Sequence, residues 1–205
     1  MKRVILSVFV LLACVSAVAA QENLFDAFVH KASNSLLTVS YQYSTVLSGV
    51  NTTGNGSFSI QGSSYRHSGS GLEIWCDGST IWTADPAAKE MVVESVTESS
   101  SPFVAGATLV LVSPDSSFKV VDLKQTGDGT QFHLLPEISC GVKDCYVTFS
   151  GDLSNPVIRK AVLTLDDGTV FRMTFEEVSF LPELRDGTFF RPGELGTAWV
   201  VTDLR

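Results

Sequence analysis

Few residues in this chain are of a type and spacing that could do chemistry. Three histidines, His30, His67 and His133, and four cysteines, Cys14, Cys76, Cys140 and Cys145, are the candidate metal ligands besides carboxylates. Zinc sites recruit such ligands in closely spaced pairs. Cys140 and Cys145 are separated by Gly-Val-Lys-Asp, no second pair lies nearby, and the histidines have no ligand spacing. For acid–base work the candidates are two carboxylate pairs, Asp166-Asp167 and Glu176-Glu177. Neighbours in a strand point to opposite faces, so Glu176 and Glu177 are not expected to converge, and Asp166-Asp167 falls in a turn. Gly127-Asp128-Gly129 is too short for a calcium loop. The chain has no Gly-x-Ser-x-Gly elbow, no phosphate loop, no His-Glu-x-x-His and no dinucleotide-binding glycine pattern. These readings point away from an enzyme, from a metal and from a cofactor. The enzymatic alternative is a hydrolase that pairs His67 with a nearby serine.

With 205 residues, 44% of them hydrophobic and 18% charged, the chain is long enough for one domain and too apolar for intrinsic disorder. Its formal net charge of −8, with no cluster of Lys and Arg, argues against a nucleic-acid partner. Met1-Lys2-Arg3, the apolar run Val4 to Ala13 and the small residues Ala17-Val18-Ala19-Ala20 read as a secretory signal over 1–20, leaving a single domain over 21–205. That run is about half of the roughly 20 residues a membrane span needs, and no later segment approaches it. A competing reading takes Leu11-Leu12-Ala13-Cys14 as a lipobox with Cys14 lipidated. In an oxidising compartment Cys140 and Cys145 could close a small disulfide loop, leaving Cys76 as a buried, unreactive thiol.

Any such residues must be positioned by elements, and their pattern is mostly β. Residues 22–36 form the exception: Asn23 suits an N-cap, and Leu24, Phe25, Phe28, Val29, Ala32 and Leu36 share one helical face. His30 falls on the polar face of that helix. From Val39 the period becomes two, with strands expected near 38–49, 55–61, 64–68, 71–76, 80–84, 90–96, 117–124, 130–135, 145–150, 157–165, 169–178 and 198–202. Turns are expected at Asn55-Gly56, Asp77-Gly78, Asp85-Pro86, Gly127-Asp128-Gly129 and Asp167-Gly168. Residues 97–115 interrupt the pattern, with 102–112 readable as a helix opened by Pro102 or as a buried strand. Residues 181–195 read as an irregular crossing before the last strand. Serial short strands of this kind imply an antiparallel meander that curls into a barrel or half-barrel. Phe58, Ile60, Ile74, Trp82, Met91, Phe132, Phe149, Phe171, Met173 and Phe175 lie at period-two positions and are the expected lining of an internal apolar cavity.

The run Gly56-Ser57-Phe58-Ser59-Ile60-Gln61-Gly62, then Tyr65-Arg66, Leu72-Glu73-Ile74-Trp75-Cys76-Asp77-Gly78-Ser79-Thr80-Ile81-Trp82, Asp85-Pro86 and Lys89-Glu90-Met91-Val92-Val93 resembles the LolA family of periplasmic carriers of outer-membrane lipoproteins. Phe189-Phe190-Arg191-Pro192 and Val200-Val201-Thr202-Asp203-Leu204-Arg205 resemble the family's closing segment. The resemblance implies a mainly β fold with a few helices: an incomplete, half-open antiparallel β-barrel under a helical lid. Here the lid would carry Leu24, Phe25 and Phe28 from the first helix and Phe103 and Leu109 from the second. It further implies a periplasmic location and three kinds of partner: lipoprotein acyl chains, an inner-membrane ABC transporter that releases them and an outer-membrane acceptor. The same half-barrel also serves lipid-sensing and regulatory domains, which is the alternative reading. One departure is local. Proteobacterial carriers place an Arg-Pro pair after the strand matching 56–61, its arginine tying down the lid, whereas this chain has Gln61-Gly62, with Arg66 the substitute a few residues on.

Overall fold

The computed structural model describes residues 24–96, 118–137, 141–182 and 185–205. The expected signal segment 1–20, the segment 97–115 with Phe103 and Leu109, and Cys140 lie outside the described residues. The first element is a helix, α1, over 24–33. It stops where three polar side chains take over its last carbonyls: Ser33 Oγ donates to Val29 O, Asn34 Nδ2 to His30 O and Ser35 Oγ to Lys31 O. With those acceptors satisfied the chain is released into an extended path.

Among the described residues twelve strands follow: β1 (Leu36–Leu47), β2 (Val50–Gln61), β3 (Ser64–Gly69), β4 (Leu72–Cys76), β5 (Thr80–Asp85), β6 (Glu90–Ser95), β7 (Phe118–Thr126), β8 (Gly129–Pro136), β9 (Val142–Gly151), β10 (Pro156–Leu165), β11 (Val170–Leu181) and β12 (Val200–Asp203). They form one sheet in the order β12-β6-β5-β4-β3-β2-β1-β11-β10-β9-β8-β7, antiparallel except where β12 joins β6 in parallel. The sheet does not close, since β12 and β7 end it. It curls instead, because Ile74 of β4 and Phe132 of β8 share one buried cluster despite the strands between them. The mainly β, half-open barrel expected from the sequence is therefore the observed fold.

The first hairpin turns at Ser48-Gly49, both with positive φ, as its two-residue loop requires. The expected turn at Asn55-Gly56 is not there; both residues lie inside β2, opposite Gln42 and Tyr41. A bulge in β11 sets Ser40 against Glu177 and Tyr41 against Phe175, leaving Glu176 as the extra residue. Phe171, Met173 and Phe175 thus share a face with Val178 and Phe180, although their numbers change parity. The bulge also corrects the expectation for the acidic pair: Glu176 and Glu177 are both exposed, and Glu176 Oε1 accepts a 2.6 Å bond from Gln42.

Candidate functional site

The concave face is almost wholly apolar, and the strand registers say why. Cross-strand partners share a face, so Val39, Phe58, His67, Ile74 and Thr83 form one row from β1 to β5. On the other half, Phe171, Leu163, Cys145 and Leu134 form a second row from β11 to β8. Phe58, Ile60, Ile74, Phe132, Phe149, Met173 and Phe175 belong to the same buried cluster, with Phe171 packed against it. That cluster also holds Leu37, Val39, Tyr41, Val147 and Leu163, whose inward parity was readable from the same alternation, and Ile158, which faces inward because a bulge between Ile158 and Lys160 shifts the phase of β10. Cys145 is fully buried here, while Cys76 lies at the end of β4 on the same face, its thiol pushed up by burial and accepting from Gly78 N.

Helix α1 lies on this face. Leu24, Phe25, Phe28 and Ala32 are buried against it, and Phe28 is only 1% exposed. Phe25 meets Phe132 and Phe149 at 6.5 and 6.1 Å between ring centroids, and Phe28 meets Phe149 and Phe180 at 5.1 and 5.6 Å. On its outer side Lys31 donates to Asn155 Oδ1 and Ser154 O and sits 4.6 Å from the Phe180 ring centroid.

Trp82 and Met91 are a correction to the expected lining. Ile81 pairs with Cys76 and Thr83 with Ile74, so Trp82, between them, points the other way. There Trp75, Ala84, Met91 and Val93 form a separate convex cluster flanked by Trp82 and Trp199. In β4 and β5 apolar residues fall on both faces, Ile74 and Ile81 on one and Trp75 and Trp82 on the other, so alternation alone does not fix which face is inner. Arg66 is convex too, opposite Trp75 and 5.7 Å from its ring centroid, and so does not reach the lid side. Gln61 ties down a different segment: its amide donates to Arg185 O and accepts from Arg185 N. Beyond it a single 3-10 turn, Gly187–Phe190, buries Phe190, and Arg191 pairs with Asp77 at 2.8 Å. Burial would raise the Asp77 carboxyl, but hydrogen bonds from Ser79, Thr80 and Arg191 outweigh it and hold it at about 2.

Tyr41, Tyr43 and His67 bring polar groups to the concave face. Tyr41 lies across Gly56 of β2, where a Cβ would sit 2.6 Å from its hydroxyl oxygen, and its hydroxyl reaches His67 Nε2 at 2.7 Å. Tyr43 lies across Gly54 in the same way, its hydroxyl meeting Ser70 Oγ. The two glycines are thus openings for tyrosine rings. Burial pushes Tyr41 up to about 12, with Tyr43 adding to it, and pulls His67 down to about 4, so both are uncharged near neutral pH. Among the described residues, no group of three or more His, Cys, Asp or Glu could hold a metal, and no helix is long and apolar enough to cross a membrane.

No family model and no curated protein matches the chain in sequence. Solved structures similar to it include a LolA superfamily protein from Nitrosomonas europaea, at 12% identity over 84% of this chain and 97% of that one, with a TM-score of 0.48. A domain assigned to outer membrane lipoprotein sorting, from Vibrio parahaemolyticus, is similar at 10% identity over 80% and 95%, also with a TM-score of 0.48. An uncharacterized conserved protein from Thermus thermophilus aligns over 90% of this chain and 99% of its own at 11% identity, and its TM-score of 0.55 shows a fold in common.

Proposed function

We propose that the chain is an exported, periplasmic carrier that binds the acyl chains of lipoproteins on its concave face, without covalent chemistry, and carries them from an inner-membrane ABC transporter to an outer-membrane acceptor. The observation that supports this reading is a continuous apolar concave surface, reaching from β4 to β8 in an unclosed sheet, whose cover is a short amphipathic helix. The sequence resemblance to the LolA carriers supports the choice of cargo. Each acyl methylene moved from water onto such a surface contributes about 0.8 kcal/mol, so a chain of lipid length is held without any charge or bond. Helix α1 would swing aside to admit the chains, and hand-over requires only an acceptor that binds them more tightly.

The test is displacement of a fluorescent hydrophobic probe from the folded protein by long-chain lipids. Ile60→Glu and Phe175→Glu place a charge at inward positions and should abolish probe binding. If both variants fold and bind the probe as the parent does, the reading fails. Mass spectrometry of lipids and lipoproteins that co-purify from the periplasm would identify the cargo.

A further inference from the structure

We propose that Tyr41 and His67 form a polar anchor on the concave face and that it takes the ester carbonyl of an acyl ligand. The inference rests on the acyl-binding reading and adds which part of the ligand is recognised. His67 is 7% exposed, and its ring stacks beside Tyr41 between Phe58 and Ile74, its cross-strand partners. One ring nitrogen, Nε2, meets the Tyr41 hydroxyl; the other, Nδ1, is buried with no hydrogen-bond partner. A buried polar atom left unpaired is costly, and its persistence calls for a partner supplied from elsewhere.

The tautomer follows from counting donors and acceptors. If Nε2–H donated to Tyr41, the tyrosine proton would have no acceptor and Nδ1 would hold an unused lone pair, leaving two unsatisfied groups. If Tyr41 O–H donates to Nε2, the ring proton sits on Nδ1 and a single N–H remains unsatisfied. The anchor is therefore a neutral donor in search of an acceptor oxygen. A carboxylate is the wrong acceptor, because both groups are uncharged near neutral pH and the arginines of the neighbouring strands, Arg66 and Arg172, occupy the convex face. A neutral carbonyl meets no such charge penalty. An ester is the neutral carbonyl that acyl lipids carry at the head of the chain. Gly56 and Gly69 fit this purpose, since a Cβ at either would press on Tyr41 or on His67.

The experiment compares two probes on the full chain: dioctanoylglycerol, and the dioctyl ether of glycerol, which has the same chains but no carbonyl. Both should displace the fluorescent probe, the diester about tenfold more tightly, the value of one well-made buried hydrogen bond. The Nδ1–H signal of His67 should move on adding the diester and stay in place with the diether. His67→Phe keeps the ring volume and should bring the diester down to the diether's affinity while leaving the diether unchanged. Equal affinity of the parent chain for both lipids, or a diester preference that survives in His67→Phe, overturns the anchor and leaves acyl binding standing. Failure of both lipids to displace the probe overturns acyl binding and the anchor with it. Should His67→Phe not fold, the parent chain's diester-to-diether ratio and the Nδ1–H signal decide.

Discussion

Gly56 carries a consequence out of proportion to its size. Its missing side chain is where the Tyr41 ring passes, and a methyl there would come within 2.8 Å of Cζ as well as 2.6 Å of the hydroxyl. Gly56→Ala should therefore push Tyr41 off His67 and cost about 1–3 kcal/mol, as overpacking does, read as a shift in the denaturation midpoint. Gly49→Ala meets no atom, so it would cost only the strain of a positive φ. His67 gives a pH signature of definite sign. Its pKa in the folded state, about 4, lies below the ordinary 6.5, so the unfolded chain binds the proton more readily. Its contribution to stability is complete above about pH 6.5 and is lost as pH falls towards 4, amounting to about 2 kcal/mol by pH 5. Chemical denaturation between pH 7 and 4 should show a shallower decline in His67→Gln than in the parent chain; parallel curves would mean that His67 is not buried neutral. The sequence exposed neither residue's role. Asn55-Gly56 has the composition of a hairpin turn, and only the cross-strand partner Tyr41 explains why a glycine sits in mid-strand.

At the scale of elements, alternation and punctuation carried most of the fold. Helix 22–36 was legible because Leu24, Phe25, Phe28 and Ala32 repeat at helical spacing, and its true end at 33 is set by Ser33, Asn34 and Ser35, whose side chains compete for the helix carbonyls. What alternation hid was phase. In β5 the apolar residues Ile81 and Trp82 are adjacent, so either could face inward, and the register with β4 decides for Ile81. In β11 the bulge at Glu176 shifts the phase midway along the strand. Helix α1 is the element whose independence matters for function. It has no ladder bonds, and it is held on the sheet by Leu24, Phe25, Phe28, Val29 and Ala32, with the Lys31 contacts outside. Phe28→Ala removes the ring best buried there, a loss of about 3 kcal/mol or more. Amides of 24–33 should then exchange on the order of a hundredfold faster while those of β9 to β11 keep their protection. If the sheet loses protection together with the helix, α1 is part of the global core and not a lid that opens alone.

At the scale of the molecule, the sheet divides two apolar clusters with different duties. The concave cluster, spanning both halves of the sheet and α1, is the proposed acyl surface; the convex one, small and confined to β4 to β6, is flanked by the chain's C-terminal stretch through Trp199. The division went unread in the sequence because the described residues 185–199 have little regular structure beyond the turn Gly187–Phe190, and nothing in their composition says which face they cross. It has an optical consequence. The chain has three tryptophans, and Trp75, Trp82 and Trp199 all belong to the convex group, whereas Tyr41, Tyr43 and Tyr65 face the concave cluster. Collisional quenching requires contact, and the sheet's backbone stands between a concave ligand and the indoles. Acyl chains brominated along their length should therefore leave tryptophan emission nearly unchanged at saturation, while quenching the emission of Tyr41, Tyr43 and Tyr65 and sparing that of Tyr146, which pairs with Val162 and His133 on the convex face. Trp199→Ala serves as the positive control from the other side: it uncovers Trp75 and should shift the remaining tryptophan emission to the red without weakening probe binding. Strong tryptophan quenching by the brominated chains would move the ligand to the convex face, and with it the function of the two clusters would be reversed.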